Sequence, residues 1–343
     1  MSSGAIVRVS AEPELPVAVE DELRRLRERF WLYANASTAQ ATKRAYERSW
    51  RAFVEWCGSK GLNPLPAHPE AVAWYAVALV AGEAGRRAPL KLTSVLTELA
   101  AITHAHVQAQ LPPPTRDPYL RIILRGMRRE HGVPVTQADP LLPSHIRAMV
   151  ASVLPGRTGI RDLALLTFGW ASALRRSELA ALSLTQLRFR PGTHGEECLV
   201  TLSRSKGDQD GEGHTRIVHA GKQIDTCPVS ALRAWLASAR IKDGTIFRKV
   251  IGERVMDDPL NERSVDAIVR QYIARAQARS GAIPEGHYSA HSLRAGCLTT
   301  MHLAGKSDLQ ICDHAGHKSL STTMRYVRMA KVLASTATLD IGL

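Results

Sequence analysis

The sequence predicts a mainly α-helical protein of two domains, with a small antiparallel β-sheet in the second. Three observations lead to this prediction. Residues 37–132 contain four segments with helical spacing of apolar residues and short links between them. The stretch VPVTQADPLLPSH, with three prolines and no periodicity, predicts a linker at 133–142. Between 187 and 219, three short β-prone runs are separated by turn-rich breaks.

The chain accordingly divides into four parts. Residues 1–20 lack clear periodicity and predict a disordered arm. Residues 21–132 predict a helical domain, 133–142 the linker, and 143–343 a second domain of mixed structure. The final residues, LASTATLDIGL, are apolar enough to pack either on their own domain or on a neighbouring copy of the chain.

In the first domain, the predicted helices start and stop at recognisable residues. The first follows a cap at Ser37 or Thr38 and ends at one of the nearby glycines. Pro69 lies in the first turn of the second, which closes on glycine. A triple proline at 112–114 stops the third, and the fourth reads DPYLRIILRGMRREHG.

The second domain begins with helices, of which IRDLALLTFGWASAL is strongly apolar and predicts a buried centre. The β-prone runs at 187–190, 198–204 and 214–219 predict a three-stranded antiparallel sheet. From there to the C-terminus, the pattern predicts helix alone.

Composition restricts both the class of protein and its partners. The 343 residues are 45% hydrophobic and carry a formal net charge of +13. No apolar run reaches the roughly 18 residues of a membrane span, and no signal peptide is recognisable, so we expect a cytoplasmic protein. The charge favours nucleic acid or an anionic membrane surface, although a genome rich in arginine codons would also produce it. Five scattered cysteines predict reduced thiols rather than disulfides or a zinc site.

The clearest basic surface lies on the fourth helix of the first domain. Its arginines recur at i, i+4, i+7 and i+8 and share one face: Arg121, Arg125, Arg128 and Arg129. Such a face contacts either solvent or the phosphates of a nucleic acid. The other candidate DNA-binding residues of this domain are Lys43, Arg44, Arg86 and Arg87.

Two stretches of the second domain carry cations suited to chemistry. In ALRRSEL, Arg175 follows the strongly apolar helix. A buried charge there needs an anion, which is either a ligand or Glu178 three residues later. In SRSKGDQDGEGHTR, Lys206 lies at the mouth of a hairpin rich in Gly and Asp. It can either give up a proton in a site or simply be solvated.

Two further stretches contain histidines. In HYSAHSLRAG, His291 and Arg294 stand at i and i+3 and project from the same face of a helix start. His287 and His291 have the i, i+4 spacing of zinc ligands, but the glutamate of H-E-x-x-H and a third ligand are missing, so we predict no metal. In HAGHKSLSTTMRYVR, His317 precedes Tyr326 by nine residues.

Together these residues form a group of cations around one hydroxyl nucleophile. A tyrosine hydroxyl, with a usual pKa of about 10, is a poor nucleophile unless cations surround it. Paired arginines match the non-bridging oxygens of a phosphodiester and stabilise the charge of a pentacoordinate phosphorane. We see no carboxylate cluster for Mg²⁺, no Walker loop and no G-x-S-x-G. The group is therefore suited to attack on a phosphodiester without metal.

With these residues the chain resembles the tyrosine recombinase (phage integrase) family, and most closely the Cre-type site-specific recombinases. ALRRSEL resembles the family's first arginine box, HSLRAG its H-x-x-R box, and AGHKSLSTTMRY its G-H-x-S-x-x-T-T-x-x-Y box. The order of the boxes agrees, as does a lysine in a hairpin between the first two. One position departs from the Cre type, because His317 stands where those enzymes have tryptophan.

The resemblance implies a role for each matching residue. Tyr326 would be the nucleophile that forms a 3′-phosphotyrosyl bond, while Arg175 and Arg294 would clamp the scissile phosphate. Lys206 would protonate the leaving 5′-oxygen.

Three further residues would support this reaction. His291 would handle the tyrosine proton, and His317 would donate a hydrogen bond to the phosphate. Glu178 would orient the catalytic side chains without contacting the phosphate itself.

The resemblance also implies an architecture and partners. We expect a two-domain, C-shaped DNA clamp, in which a helical-bundle core-binding domain precedes a mixed α/β catalytic domain whose C-terminal helix docks in trans. The expected partners are double-stranded DNA with an inverted-repeat recombination site and further copies of the chain, giving a homotetramer on DNA and a monomer or weak associations off it. No cofactor is expected, and the protein would lie in the cytoplasm, on the nucleoid.

Three other functions remain open at this point. A catalytically inactive DNA-binding descendant of the family would keep the fold without the reaction. A relaxing enzyme like type IB topoisomerases would share the chemistry without site specificity. A metal-dependent nuclease would need a ligand set that the sequence does not offer.

Overall fold

The computed structural model describes residues 17–36, 40–85, 88–132, 137–193, 195–202 and 213–333. The chain forms two compact units, Met1–Pro134 and Val135–Leu343. Helices dominate and two small antiparallel sheets accompany them, which confirms the predicted fold class. Within these described ranges, no helix has both the length and the apolar character needed to cross a membrane.

The first unit is built from helices. Their bounds are α1 (Val17–Ala36), α2 (Gln40–Ser59), α3 (Pro69–Ala81), α4 (Leu92–Gln108) and α5 (Pro118–His131). Helix α1 begins inside the stretch 1–20 that the sequence assigns to a disordered arm, and residues 1–16 lie outside the described residues. The predicted cap of α2 at Ser37 or Thr38 also lies outside them.

An aromatic cluster fills the core of the first unit. Phe53 and Trp56 of α2 pack against Tyr75 of α3, with ring centroids 5.0 and 5.1 Å from that of Tyr75. The ends of the helices follow local chemistry, since the Asp117 carboxylate accepts from the first backbone N–H groups of α5. Gly82 closes α3 with a left-handed φ of 81°, as predicted from its glycine.

The second unit mixes helices and strands. Its helices are α6 (Pro143–Ala151), α7 (Gly156–Ala171), α8 (Arg176–Ala180), α9 (Pro228–Ala239), α10 (Glu262–Ser280), α11 (His291–Leu303), α12 (Asp308–Ala315) and α13 (Leu320–Leu333). Its strands are β1 (Leu187–Gly192), β2 (Gly195–Leu202), β3 (His214–Val218), β4 (Arg248–Ile251) and β5 (Arg254–Pro259). As predicted, α7 is the buried centre, with Leu165, Leu166 and Phe168 fully buried.

The predicted three-stranded sheet is confirmed. Strands β1, β2 and β3 lie in that order and are antiparallel, with Leu187 opposite Val200 and Val200 opposite Arg216. The expectation of helix alone after this sheet is wrong, because β4 and β5 form a second antiparallel pair. These strands are short and mostly exposed, and they turn at Gly252, whose φ is 59°.

The segment from Asp139 to Leu141, which the sequence assigns to the linker, packs on the start of α11. The Asp139 carboxylate accepts from the His287 backbone N–H at 2.7 Å, and the Leu141 N–H donates to the Ser292 carbonyl at 3.1 Å. Gly296 of α11 has no side chain to collide with the Leu141 backbone, which any Cβ there would meet. Leu141 is fully buried, so this segment belongs to the core of the second unit.

Candidate active site

Arg175 precedes helix α8, after a tight turn that ends α7. Ala173 in this turn has a left-handed φ of 49°, which is unfavourable for a residue with a Cβ. The Arg175 backbone N–H donates to Glu178 Oε2 at 2.9 Å, and its Nη1 donates to Oε1 at 2.6 Å. The Arg175 side chain is still 25% exposed, so a guanidinium with five donors can bind a second anion besides Glu178.

Arg294 is fixed inside the protein by backbone oxygens. It lies on α11 and is 1% exposed. Its Nη1 donates to the Ala173 carbonyl of the α7–α8 turn, and its Nη2 donates to the Ala315 carbonyl of α12 at 2.8 Å. These neutral acceptors hold the guanidinium without neutralising it. Burial, and then the charge of Arg175, lower the pKa of Arg294.

Tyr326 and His291 form a hydrogen-bonded pair. His291 is the first residue of α11, and its Nε2 lies 2.9 Å from the Oη of Tyr326 on α13. Partial desolvation of the ring and the charges of Arg294 and Arg175 lower the pKa of His291. The imidazole is therefore neutral at neutral pH, and with its hydrogen on Nδ1 it can accept the phenolic proton at Nε2.

His317 also packs against the tyrosine ring. It follows Gly316, the left-handed residue that ends α12. Its ring is stacked on Tyr326 with centroids 5.9 Å apart, and its Nδ1 lies 2.8 Å from the hydroxyl of buried Thr323. Burial and neighbouring positive charges, first that of Arg294, lower the pKa of His317 to about 3. When Thr323 donates to Nδ1, the Nε2–H of the neutral ring can donate to an anion.

Glu178 is a nearly buried carboxylate among these cations, 7% exposed at its side chain. Burial opposes its ionisation, but hydrogen bonds from Arg175 and the charges of Arg175 and Arg216 hold the pKa of Glu178 below its usual value. One carboxylate thus faces several guanidinium groups in this part of the unit. The site carries a positive excess that attracts an anion such as phosphate.

Sequence reasoning missed three residues behind the site. Arg216 of β3 is 3% exposed and donates to the Ser172 carbonyl at 3.0 Å. His314 of α12 lies 2.9 Å from the Ala171 carbonyl through its Nε2, and burial lowers the pKa of His314 to about 4. His214 lies beside Arg216, and burial also lowers its pKa. Only strand alternation, which places Arg216 on the inward face with Val218, could have indicated one of them.

A cavity of about 330 Å³ opens beside the His291–Tyr326 pair. Both of these residues line it, together with Gln137, Ala138, Pro140, His287, Ser289, Ala295, Thr299, Arg325 and Met329. The Tyr326 hydroxyl is therefore accessible from this side. Across the described ranges, no three His, Cys, Asp or Glu side chains are grouped so as to hold a metal ion.

The structure thus brings together six of the seven predicted catalytic residues: Arg175, Glu178, His291, Arg294, His317 and Tyr326. Lys206 lies outside the described residues, as do Arg86 and Arg87. Lys43 and Arg44 lie near the start of α2, and the four arginines of α5 are exposed. Lys43, Arg44 and the four arginines of α5 form no ion pair with another described residue.

Comparison with known proteins decides the family. The profile of the Phage integrase family matches residues 141–332, which include every residue of the site. The chain belongs to this family of tyrosine recombinases. The predicted family is confirmed, and the protein is a tyrosine-type site-specific recombinase.

Two sequence relatives illustrate the match. An integrase/recombinase xerD homolog of Selenomonas ruminantium is 30% identical to this recombinase over 307 residues, which cover 88% of this chain and 85% of the relative. The tyrosine recombinase XerC of Mannheimia succiniciproducens is 29% identical over 174 residues, half of each chain. The closer likeness to Cre-type enzymes stays a resemblance between motifs.

Solved structures share the fold at low identity. The XerH site-specific recombinase bound to a palindromic difH substrate, in a post-cleavage complex, is 16% identical with a TM-score of 0.55, over 80% of this chain and 72% of that one. A lambda integrase (75–356) dimer bound to a COC′ core site is 15% identical with a TM-score of 0.54, over 88% and 93%. These likenesses show that the recombinase has the fold of DNA-bound family members.

Proposed function

We propose that this recombinase cuts and rejoins DNA strands through a 3′-phosphotyrosyl intermediate on Tyr326. The observation that supports this most directly is the 2.9 Å contact between Tyr326 Oη and His291 Nε2, beside the buried guanidinium of Arg294. A nucleophile, a neutral base and a fixed cation are what attack on a phosphodiester requires.

Cleavage exchanges one phosphoester bond for another. The Tyr326 oxygen forms a bond to the scissile phosphorus, and its proton passes to His291. The bond between phosphorus and the 5′-oxygen breaks, that oxygen takes the electron pair, and Lys206 supplies its proton. Arg175, Arg294 and the Nε2–H of His317 stabilise the charge on the non-bridging oxygens.

Rejoining is the reverse reaction with a different 5′-hydroxyl. That hydroxyl attacks the phosphotyrosine and releases Tyr326. Because the phosphotyrosyl bond conserves the energy of the phosphodiester, the scheme uses no ATP. It uses no metal ion either, because the cationic side chains stabilise the charge on the phosphate. The role of Lys206 rests on the family resemblance alone, since this lysine lies outside the described residues.

The proposed substrate is a duplex with an inverted-repeat site, bound by four copies of the chain that exchange strands one pair at a time. The helical domain 21–132 and the catalytic domain, which includes Asp139–Leu141 as well as 143–343, grip the duplex from opposite sides. The part of the predicted linker before Asp139 joins them. The exposed arginines of α5, with Lys43, Arg44, Arg86 and Arg87, contact phosphates. The last residues, 334–343, dock on a neighbouring copy; they lie outside the described residues.

The test uses nicked suicide duplexes tiled from the DNA that flanks the gene. Each is incubated in EDTA with the wild-type protein or with Tyr326→Phe, and products are separated in SDS. The expected result is an SDS-resistant, protease-sensitive protein–DNA adduct with the wild type and none with Tyr326→Phe.

The other outcomes identify the rivals. An adduct with Tyr326→Phe would refute the assignment of the nucleophile. Tight, salt-sensitive binding without any adduct would favour the inactive DNA-binding descendant. Relaxation of plasmids of arbitrary sequence by a monomer would favour the topoisomerase-like enzyme, and cleavage that depends on Mg²⁺ would favour a nuclease.

A further inference from the structure

Arg216 of β3 is a buried cation that the scheme above does not use. It is 3% exposed, and its Nη1 donates to the Ser172 carbonyl at 3.0 Å. Its Nε is buried without a hydrogen-bond partner in the described part of the chain. Burying a guanidinium with so few acceptors is costly, so Arg216 is not explained as a contribution to stability.

The guanidinium of Arg216 lies against both turns that carry the site. On one side is Ser172, whose neighbour Ala173 holds Arg294 through its carbonyl. On the other side is Gly316, where an added Cβ would lie 3.1 Å from Arg216 Nη2. The residue after Gly316 is His317, which is stacked on the nucleophile.

The charges around Arg216 also relate it to the site. Burial lowers the pKa of Arg216 to about 10, whereas attraction by Glu178 opposes this and repulsion by Arg294 and Arg175 adds to it. Glu178 therefore interacts electrostatically with two cations, the partly exposed Arg175 and the buried Arg216. With 3% exposure, Arg216 itself cannot contact DNA.

We propose that Arg216 is a positioning residue for strand cleavage. It holds the α7–α8 turn and the Gly316 turn together, so that Arg175, Arg294 and His317 converge on one phosphate. Through β3 it also connects these turns to the β1–β3 sheet. This inference rests on the proposed function, because it concerns the same site.

The test compares Arg216→Met and Arg216→Lys with wild type on the suicide duplex selected by adduct formation. For Arg216→Met, the single-turnover rate of adduct formation should fall about 10- to 100-fold, because small displacements of reacting groups have effects of that size. The Kd for the duplex should stay within about twofold. The Tm should change little, since an apolar side chain of similar length fills the site. Arg216→Lys should recover part of the rate.

Arg161→Met is the matched control. Arg161 is also a buried arginine of this unit, 6% exposed, but it pairs with Asp162 at 2.7 Å and lies in no part of the site described above. Its replacement leaves the buried Asp162 carboxylate without its cation, so the Tm should fall. The rate per folded molecule should equal that of the wild type.

Three outcomes would overturn the inference. In the first, folded Arg216→Met forms adduct at the wild-type rate. In the second, the rate falls only in proportion to the loss of folded protein, as a merely structural arginine would show. In the third, wild type forms no adduct with any tiled duplex, which overturns the proposed function as well. This outcome is distinguished from the first two because it is seen with the wild type alone, before any variant is compared.

Discussion

The arginines of the two units differ in how they are held. In the second unit, Arg294 and Arg216 are 1% and 3% exposed and donate to backbone carbonyls of the neighbouring turns. In the first unit, Arg121 and Arg125 lie on the exposed face of α5 and pair with no carboxylate of the described residues. The first pair is buried and held by hydrogen bonds to the backbone, whereas the second pair is exposed to solvent.

This difference separates two tasks that positive charge can perform on DNA. A buried guanidinium held by two carbonyls keeps its position whatever the salt concentration, so it suits the stabilisation of a transition state. An exposed guanidinium is screened beyond about 8–10 Å at ordinary ionic strength, so it suits binding through release of counterions. We therefore expect the buried arginines to control rates and the exposed ones to control affinity and its salt dependence.

The largest effect is expected at Arg294. In Arg294→Lys, one ammonium cannot reach both the Ala173 and Ala315 carbonyls and still donate to phosphate. The single-turnover cleavage rate should fall about 10²- to 10³-fold, with the Kd at low salt little changed. Arg125→Lys is the control, since an exposed cation that binds through its charge should tolerate the exchange. A rate for Arg294→Lys within tenfold of wild type would contradict the distinction.

A smaller effect is expected from the double variant Arg121→Ala, Arg125→Ala. The slope of log Kobs against log salt should become less steep by up to about 2, because each phosphate contact contributes about 0.9. The cleavage rate at saturating protein should not change. Titrations by fluorescence anisotropy at several salt concentrations measure both the slope and the saturation point.

Arg233→Ala is the matched control for this titration. Arg233 of α9 is an exposed arginine already neutralised by Glu196, at 2.8 and 2.5 Å. Its loss should leave the salt slope unchanged. An equal change in slope for both proteins would show that the α5 face has no special contact with DNA.

The smallest effect concerns His314, which burial, with the neighbouring positive charges, keeps neutral. Burial and then the charges of Arg216 and Arg294 lower the pKa of His314 to about 4, against about 6.5 in an unfolded chain. Below pH 6.5 the unfolded state therefore binds a proton at His314 that the folded state does not bind. The free energy of unfolding consequently falls as the pH is lowered towards 4.

The measurement is the Tm at pH 7 and pH 5 for wild type and His314→Gln. The glutamine amide can still donate to the Ala171 carbonyl but does not titrate. On acidification the variant should lose about 1 kcal/mol less stability than wild type, or roughly 2–4 °C in Tm, allowing for partial screening. Equal losses in both proteins would mean that His314 takes up its proton in the folded state.

Much of the fold follows from local chemistry that the sequence displays. Apolar periodicity and stop signals predict α3, α4, α5 and α7, and the turn-rich breaks predict β1–β3. The same patterns do not predict the β4–β5 pair, because its strands are short and bury few side chains on either face. The two residues Gly252 and Glu253 between two β-prone runs were the available signal for that hairpin.

The residues of the active site also fall into those that the sequence predicts and those that it does not. The residues that stand in recognisable boxes could be named from spacing and order whatever their exposure, and they include the buried Arg294 as well as Arg175 and Tyr326. Arg216 could not, because its importance comes from two turns distant in sequence, at Ser172 and Gly316. Contacts of this kind depend on tertiary packing, which no local pattern of residues encodes.

The segment from Asp139 to Leu141 determines how short an independent catalytic fragment can be. Leu141 accepts the Trp170 indole N–H at 2.7 Å and donates to the Ser292 carbonyl at 3.1 Å. A fragment that starts at residue 143 would lose both of these hydrogen bonds and uncover the first turns of α11 next to His291. An engineered minimal recombinase must therefore begin before Asp139, and a fusion partner must be joined upstream of that residue.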